Sequence, residues 1–341
     1  MLSKQSKILI TGATGFVGSY ILKCLVQDGY ENIYCMNRSS SNMNLVADVR
    51  DKAQWIDCDI MDMPRVDEVT QDMEVIIHAA SIVSFHTKNK NKLIETAMTG
   101  TANLVNAALG HGKAKFIHIS SIAAIGRKRK YEEIDERQIF SQSEFDTTYG
   151  LSKFLSEQEV WRGHAEGLPI TILNPSMILG AGNWDQSSTQ IFKKIYQGMT
   201  FYPEGSNGWV DVRDVAQAVL ISLKGNFDGQ RYIISAENAP YKTIFEKIAT
   251  QLKVKAPKYA LSPFIGGLIQ KVETLRSLIT QKPPLLTKET LKSTSVTSVY
   301  DNTKSRVQLG LQYRPIDITI QESCQVFLEN WPLPKTWATI Q

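Results

Sequence analysis

The stretch Thr11-Gly12-Ala13-Thr14-Gly15-Phe16-Val17-Gly18 constrains this chain more than any other. It follows the apolar run Lys7–Thr11, which reads as a strand. It opens Phe16–Gln27, where apolar residues recur at helical spacing. A strand-to-helix turn stripped of side chains lets the backbone approach a phosphate group. The helix N-terminus then offers free N–H groups and the positive end of its dipole. Gly12 makes the turn, Thr14, Gly15, Phe16 and Val17 border the anion, and Gly18 lets the first helical turn pack closely. The spacing is G-x-x-G-x-x-G, and the expected ligand is the pyrophosphate of a dinucleotide.

The rest of the first half alternates short apolar runs with longer amphipathic ones. Asn32–Asn37, Gln54–Asp57, Val75–His78, Lys115–Ser120 and Ile170–Asn174 read as strands. Leu93–Leu109, stopped by Gly110 and Gly112, and Tyr149–Arg162 read as helices. The alternation predicts an α/β fold: a doubly wound parallel sheet with right-handed crossovers and helices on both faces. After about residue 180 the rhythm breaks. Helices are expected at Gln190–Tyr196, Val212–Leu223 and Tyr241–Leu252, a strand at Gln230–Ser235, and an amphipathic helix at Leu261–Ile279. The expected organisation is a Rossmann domain over residues 1–180 that also receives about 209–235, with 181–341 mainly a smaller mixed substrate lobe.

Composition narrows the partners. The net charge of +4 is small for 341 residues and the basic residues are scattered, so no nucleic-acid partner is expected. The one basic run, Arg127–Lys130, leads straight into Glu132, Glu133, Asp135 and Glu136 and reads as a solvated loop. No apolar run approaches the ~18 residues of a membrane span, and the short Ile8–Ile10 run does not make a signal peptide. Four scattered cysteines without metal-ligand spacing suggest buried thiols in a reducing cytoplasm, and no metal site. A small-molecule substrate is the expected partner.

The end of the second strand selects the dinucleotide. A carboxylate there would accept bonds from a ribose 2′-hydroxyl, whereas an arginine accommodates a 2′-phosphate. Cys35-Met36-Asn37-Arg38-Ser39-Ser40 has no carboxylate, and Arg38 can clamp a phosphate. NADP(H) is favoured, with NAD(H) left open.

Tyr149 and Lys153 lie four residues apart, on one face of a helix. A cation beside a phenol favours the phenolate, so the pair suits proton transfer to or from a substrate oxygen. Ser121 closes the fifth strand at the carboxyl edge of the sheet, where ligands of such folds bind and where its hydroxyl can hold that oxygen. A second Tyr-x-x-x-Lys, Tyr300–Lys304, lies in a polar stretch and reads as incidental. Of the histidines, His118 reads as a satisfied core residue, His78 as a backbone-orienting one, and His86 as a loop residue after Phe85, with a substrate-facing role as the second reading.

Thr11–Gly18, Ser121 and Tyr149-x-x-x-Lys153, in this order, resemble the extended short-chain dehydrogenase/reductase family, from about residue 6 to 330. The resemblance implies that Asp59 and Ile60 line an adenine pocket, that Ala79 and Ala80 border the cofactor, and that Pro175, Met177 and Ile178 touch the nicotinamide amide. It implies that Lys153 holds the nicotinamide ribose. Ala79–Phe85, Gly100–Val105, Ser120–Gly126 and Val210–Ala216 look most like the 3β-hydroxysteroid dehydrogenase and dihydroflavonol reductase branch, which acts on carbonyls and secondary alcohols. Ser84, Phe85, Trp184 and Trp209 are the candidate substrate residues; Trp184, Tyr202 and Trp209 fall where the family closes over substrate, and their apolar faces suit a flat or lipophilic molecule or, equally, ordinary packing of the lobe. Many relatives dimerise through the tyrosine-bearing helix, so a homodimer is an expected arrangement. Sugar-nucleotide epimerases with tightly held NAD share the core. They usually carry an arginine where this chain has Asn207, and Arg231 or Arg276 would have to replace it. A non-catalytic dinucleotide sensor is the third reading, and the Tyr–Lys pair argues against it. Two departures from the family are Ala97 in place of an asparagine and Asn174-Pro175 in place of Arg-Pro.

Overall fold

The computed structural model describes residues 2–80, 90–112, 114–127, 131–140, 143, 146–261 and 288–330. The elements run β1 (Ile8–Thr11), α1 (Phe16–Gln27), β2 (Ile33–Asn37), β3 (Gln54–Asp57), α2 (Met63–Thr70), β4 (Val75–His78), α3 (Lys90–His111), β5 (Lys115–Ile119), β6 (Tyr131–Ile134) and α4 (Thr148–Ala165). They continue with β7 (Ile170–Pro175), β8 (Met177–Leu179), α5 (Gln190–Tyr196), β9 (Phe201–Pro203), β10 (Ser206–Asp211), α6 (Val212–Lys224), β11 (Gln230–Ile234), β12 (Glu237–Pro240), α7 (Tyr241–Gln251), β13 (Tyr259–Leu261) and β14 (Thr297–Tyr300). Three later helices are named by their ranges, Lys288–Thr294, Thr303–Gln308 and Ile316–Asn330.

Seven parallel strands form the large sheet in the order β11-β7-β5-β4-β1-β2-β3, as the alternating pattern predicts. Successive side chains of a strand point to opposite faces. Ile8, Ile10, Val75 and Ile77 therefore pack with Ile21, Leu22 and Leu25 of α1 and Val215 and Val219 of α6. Leu9, Ile76 and Phe116 pack on the other face with Leu104 and Val105 of α3 and Val160 of α4. Both faces are covered, so β1, β4 and β7 are buried along their whole length and are mainly apolar, without the alternation of a half-exposed strand. The strand order reverses at β1, which lies between β2 and β4. That reversal opens a crevice at the carboxyl edge, against the glycine loop.

A smaller mixed sheet, β12-β10-β14-β6 with β8 beside β10, stands over that edge. Its core contains Trp184, Phe192, Trp209, Tyr241 and Phe327. This corrects the expectation for the two tryptophans. Trp209 has no exposed surface and donates its indole N–H to Ala239 O at 3.0 Å. Trp184 is 8% exposed and meets Phe192 and Phe327 edge-on. Their apolar area is spent on lobe packing. Ser84, Phe85 and His86, and most of Leu261–Ile279, lie outside the described residues. Among the described residues, no helix is long and apolar enough to cross a membrane. The four cysteines are free; Cys35, Cys58 and Cys324 are buried and Cys24 is half-buried.

Val210–Ala216 ties the two sheets together. Asp211 caps α6, accepting from Arg213 N at 2.7 Å, and also accepts from Thr319 Oγ1 of the last helix at 2.8 Å. Asp214 has no exposed surface; its carboxylate takes the backbone N–H of Arg314 at 2.8 Å and pairs with the Arg314 guanidinium. Asp214→Ala takes the buried acceptor away from the Arg314 N–H and guanidinium. It should cost about 2–4 kcal/mol, read as a lower denaturation midpoint. An unchanged midpoint would show that the clamp contributes nothing.

Candidate active site

The glycine loop is built for close approach. Gly12 sits at φ +74°, and a Cβ there would lie 2.7 Å from the Ala80 backbone. A Cβ on Gly18 would lie 2.1 Å from Gly12 O, so α1 presses its first turn onto the loop. Gly15 caps α1 without a side-chain acceptor, and the first turn holds no acidic residue. Those N–H groups and the dipole are left for an outside anion, so the residues fit a pyrophosphate. Gly15 is exposed at this edge, and Thr14, Phe16 and Val17 are partly so.

Residues from β4 complete the cradle. His78 is buried, and its ring lies in an ordered chain. Thr101 Oγ1 donates to Ala97 O (2.7 Å), which leaves it to accept from His78 Nε2–H (3.1 Å). His78 Nδ1 then accepts from Thr11 Oγ1 (2.7 Å), which itself accepts from Ala80 N (3.2 Å). Burial, with the nearby Lys153 charge, pushes His78 down to about 3. It stays neutral and fixes Ala79-Ala80 beside Gly12, the backbone-orienting role expected of it. Its neighbour His118 is buried too, 5.2 Å away between ring centres, but neither ring nitrogen has a hydrogen-bond partner among the described residues. The expectation of a satisfied His118 is corrected; burial alone holds it neutral, well below the ordinary histidine range.

The surface beyond the ends of β2 and β3 is open. Asp59 is exposed and accepts from Met61 N at 3.0 Å; Ile60 packs where a Cβ on Gly100 would collide at 2.4 Å. Arg38 is exposed at the end of β2, and its guanidinium makes no ion pair among the described residues. At the far end of the crevice, Pro175 ends β7, and Met177 and Ile178 of β8 are partly exposed.

Ser121 and Tyr149 come together, and Lys153, one turn farther along α4, reaches the end of β5. Thr147 caps α4 by accepting from Gly150 N (3.0 Å), and a Cβ on Gly150 would lie 2.9 Å from Ala123 O. That close approach sets the first turn of α4 against the Ser121 turn. Ser121 Oγ accepts from Ala123 N at 3.1 Å and shares a hydrogen bond with the Tyr149 hydroxyl. Burial raises the Tyr149 pKa above its ordinary value, and the Ser121 bond offsets part of that rise. Burial thus outweighs the Lys153 part of the lowering expected for this phenol, and Tyr149 is protonated at neutral pH. Lys153 is 5% exposed and donates to Ile119 O at 3.0 Å. Burial pushes it down to about 8, against the pull of Glu157.

Behind this trio lies a network that spacing alone does not reveal. Glu157, 1% exposed, accepts from Ser120 Oγ (2.8 Å), Asn174 Nδ2 (2.9 Å), Arg231 Nη1 (2.9 Å) and Trp161 Nε1 (3.4 Å). The helical interval from Lys153 to Glu157 was the one available signal for it. Arg231 also donates to Glu136 O and to Gln138 O, the latter at 2.9 Å. Asn207 is 3% exposed, donates to Tyr241 Oη (3.1 Å) and accepts from Gly208 N (3.0 Å). Arg127 departs from the solvated-loop reading: it is half-buried and donates to Tyr300 Oη (3.2 Å) and Ser293 O (3.4 Å). Lys128–Lys130 lie outside the described residues. Lys304 donates to Arg231 O (2.8 Å), so the second Tyr-x-x-x-Lys is part of the lobe's packing.

Comparison with known proteins agrees with this geometry. The model of the NAD dependent epimerase/dehydratase family matches residues 8–235. A protein of Synechocystis sp. named "Putative dihydroflavonol 4-reductase" is 26% identical over 326 residues, 93% of each chain. Cinnamoyl-CoA reductase CAD2 of Medicago truncatula is 24% identical over 344 residues, covering 95% of this chain and 96% of that protein. The crystal structure of gox2253 superposes with a TM-score of 0.82 at 27% identity, over 95% of this chain and 98% of that one. With the family model spanning most of the chain and reductases aligned along nearly all of it, this chain belongs to the NAD dependent epimerase/dehydratase family, as a nicotinamide-dependent oxidoreductase of the extended short-chain dehydrogenase/reductase type.

Proposed function

We propose that this enzyme is an NADP-dependent reductase acting on a carbonyl, or in reverse on a secondary alcohol, of a small flat or lipophilic substrate. The observation that carries the proposal is the Ser121–Tyr149 hydrogen bond with Lys153 buried one helical turn beyond it. Ser121 and Tyr149 bind the substrate oxygen, Tyr149 passes it the proton, and Lys153 keeps a positive charge beside the phenol. A bound nicotinamide supplies the hydride. In this reading the pyrophosphate lies on Gly12–Gly18 and the 2′-phosphate at Arg38. Asp59 and Ile60 border the adenine, Ala79 and Ala80 the middle of the cofactor, and Pro175, Met177 and Ile178 the nicotinamide amide.

Two features favour this over sugar-nucleotide chemistry. Asn207 is buried with its amide in use, and Arg231 is committed to Glu157, so neither offers a guanidinium fork to a diphosphate. Arg276 lies outside the described residues. The two reductases reported above also support a carbonyl substrate, and with both tryptophans buried they are the main support for a flat one. The test is an assay of net NADPH oxidation with aromatic and steroid ketones and aldehydes, run beside UDP-glucose and dTDP-glucose. Loss of NADPH with a carbonyl compound is expected. Conversion of a nucleotide sugar with no net change in nicotinamide would overturn the proposal.

A further inference from the structure

Among the described residues, Glu157 is the buried carboxylate behind the Tyr149–Lys153 pair, and the proton transfer does not itself use its charge. It follows Lys153 by four residues on α4, so both side chains leave the same face of the helix. Its two oxygens are held from four elements. Oε2 accepts from Ser120 at the end of β5 and from Asn174 in β7; Oε1 accepts from Arg231 in β11 and Trp161 in α4. The Asn174 amide also donates to Ser121 O at 2.8 Å, so the backbone of the serine that meets Tyr149 hangs on the same carboxylate.

We propose that Glu157 is a positioning residue for the active site. Its carboxylate supplies the counter-charge that keeps Lys153 an ammonium ion, and through Asn174 it fixes the strand end that presents Ser121. The inference rests on the reading of Tyr149 and Lys153 as the proton-transfer pair.

The charges around Lys153 support this. From α4 Glu157 acts on it, with Tyr149 one turn earlier on the helix; from β4 and β5, His78 and His118 are both kept neutral by burial. Arg231 of β11 stands beyond Glu157, and Glu136 lies farther out, accepting from Ile233 N at 2.8 Å. Among these groups, the Glu157 carboxylate is the negative charge that acts on Lys153. Burial works to remove the Lys153 proton, and Glu157 works to retain it. A glutamine of the same shape keeps one acceptor for Ser120 and Asn174, but it lacks the charge and turns an amide NH2 toward the Arg231 and Trp161 donors, so Lys153 and Arg231 both lose their counter-charge.

The experiment follows the Cε resonance of Lys153 by NMR over pH in protein labelled with 13C-lysine, assigned by its loss in Lys153→Met. It needs neither substrate nor cofactor. In the native protein the midpoint is expected near about 8. In Glu157→Gln it should fall by about one pH unit, because one nearby opposite charge is gone. That substitution leaves Arg231 without its counter-charge and can unfold the protein. Glu157→Gln combined with Arg231→Met removes both charges and should fold, with Lys153 still titrating below the native value. An unchanged Lys153 midpoint in either folded variant would reduce Glu157 to a packing residue. That outcome is separate from failure of the underlying reading, which would show as normal turnover in Tyr149→Phe.

Discussion

Tyr149→Phe should lower kcat by about 10³-fold, within the range ascribed to general acid–base catalysis, while NADPH binding changes by no more than about twofold. The substitution deletes one oxygen and keeps the ring. That oxygen is the partner of Ser121, and in the proposed reaction its proton is the one that passes to the substrate oxygen. The cradle for the pyrophosphate lies on α1 and β4, apart from α4, so nucleotide affinity has no reason to fall. Steady-state turnover and a nicotinamide fluorescence titration separate the two effects. Loss of binding in parallel with turnover would mean that Tyr149 supports the fold or the cofactor and not the chemistry.

Gly18→Ala should damage the protein through geometry alone. The added methyl would lie 2.1 Å from Gly12 O and 2.9 Å from the Ala13 Cα, both backbone atoms of the loop it must support. Neither can swing aside as the end of a side chain would. The helix must lift from the loop, which should cost about 2–4 kcal/mol, in line with overpacking at a rigid site. Lifting it also moves the α1 N–H groups off the pyrophosphate, so NADPH affinity should drop by about 30-fold or more, the equivalent of about 2 kcal/mol. Gly110→Ala is the control. It sits in α3 with nothing within 4 Å of an added Cβ, and it should be neutral or stabilising by about 0.5–1 kcal/mol. Equal behaviour of the two variants in thermal denaturation and cofactor titration would contradict this account.

What could be read in advance follows how local each signal is. The strands of the large sheet are apolar runs bounded by turn residues, and all seven stood out in the sequence. The short strands outside it did not. Met177–Leu179, Phe201–Pro203 and Tyr259–Leu261 are three residues long and exist because a partner strand lies beside them. Tyr131–Ile134 carries two glutamates and reads as loop, yet pairs in register with Thr297–Tyr300, far along the chain. Ile316-Asp-Ile-Thr-Ile alternates as a strand would, but opens a helix, because Ile316 and Ile320 lie one turn apart and are both buried in the lobe core.

The site divides in the same way. The glycine loop and the Tyr–Lys interval are local patterns, and their geometry is close to what the spacing implied. Glu157, Asn174 and Arg231 stand on three elements and meet only after β5, β7 and β11 are side by side. The same network answers the departure at Asn174: its amide bonds Glu157, and Arg231 from the edge strand brings the guanidinium. The tryptophans failed for a related reason. An aromatic side chain suits a core as well as a binding face, and only its neighbours decide which it joins.

The measurement to make first is a fluorescence titration of the purified, cofactor-stripped protein with NADPH and with NADH, repeated on Arg38→Ala. Arg38 is exposed at the end of β2, with no carboxylate among Cys35–Ser40 to favour a ribose hydroxyl. The account predicts tighter NADPH binding by about tenfold or more, worth about 1.4 kcal/mol for the charged contact, with the preference lost in Arg38→Ala. Tighter binding of NADH, or a nicotinamide that cannot be stripped from the protein, would contradict it and point to an enzyme that recycles a captive NAD.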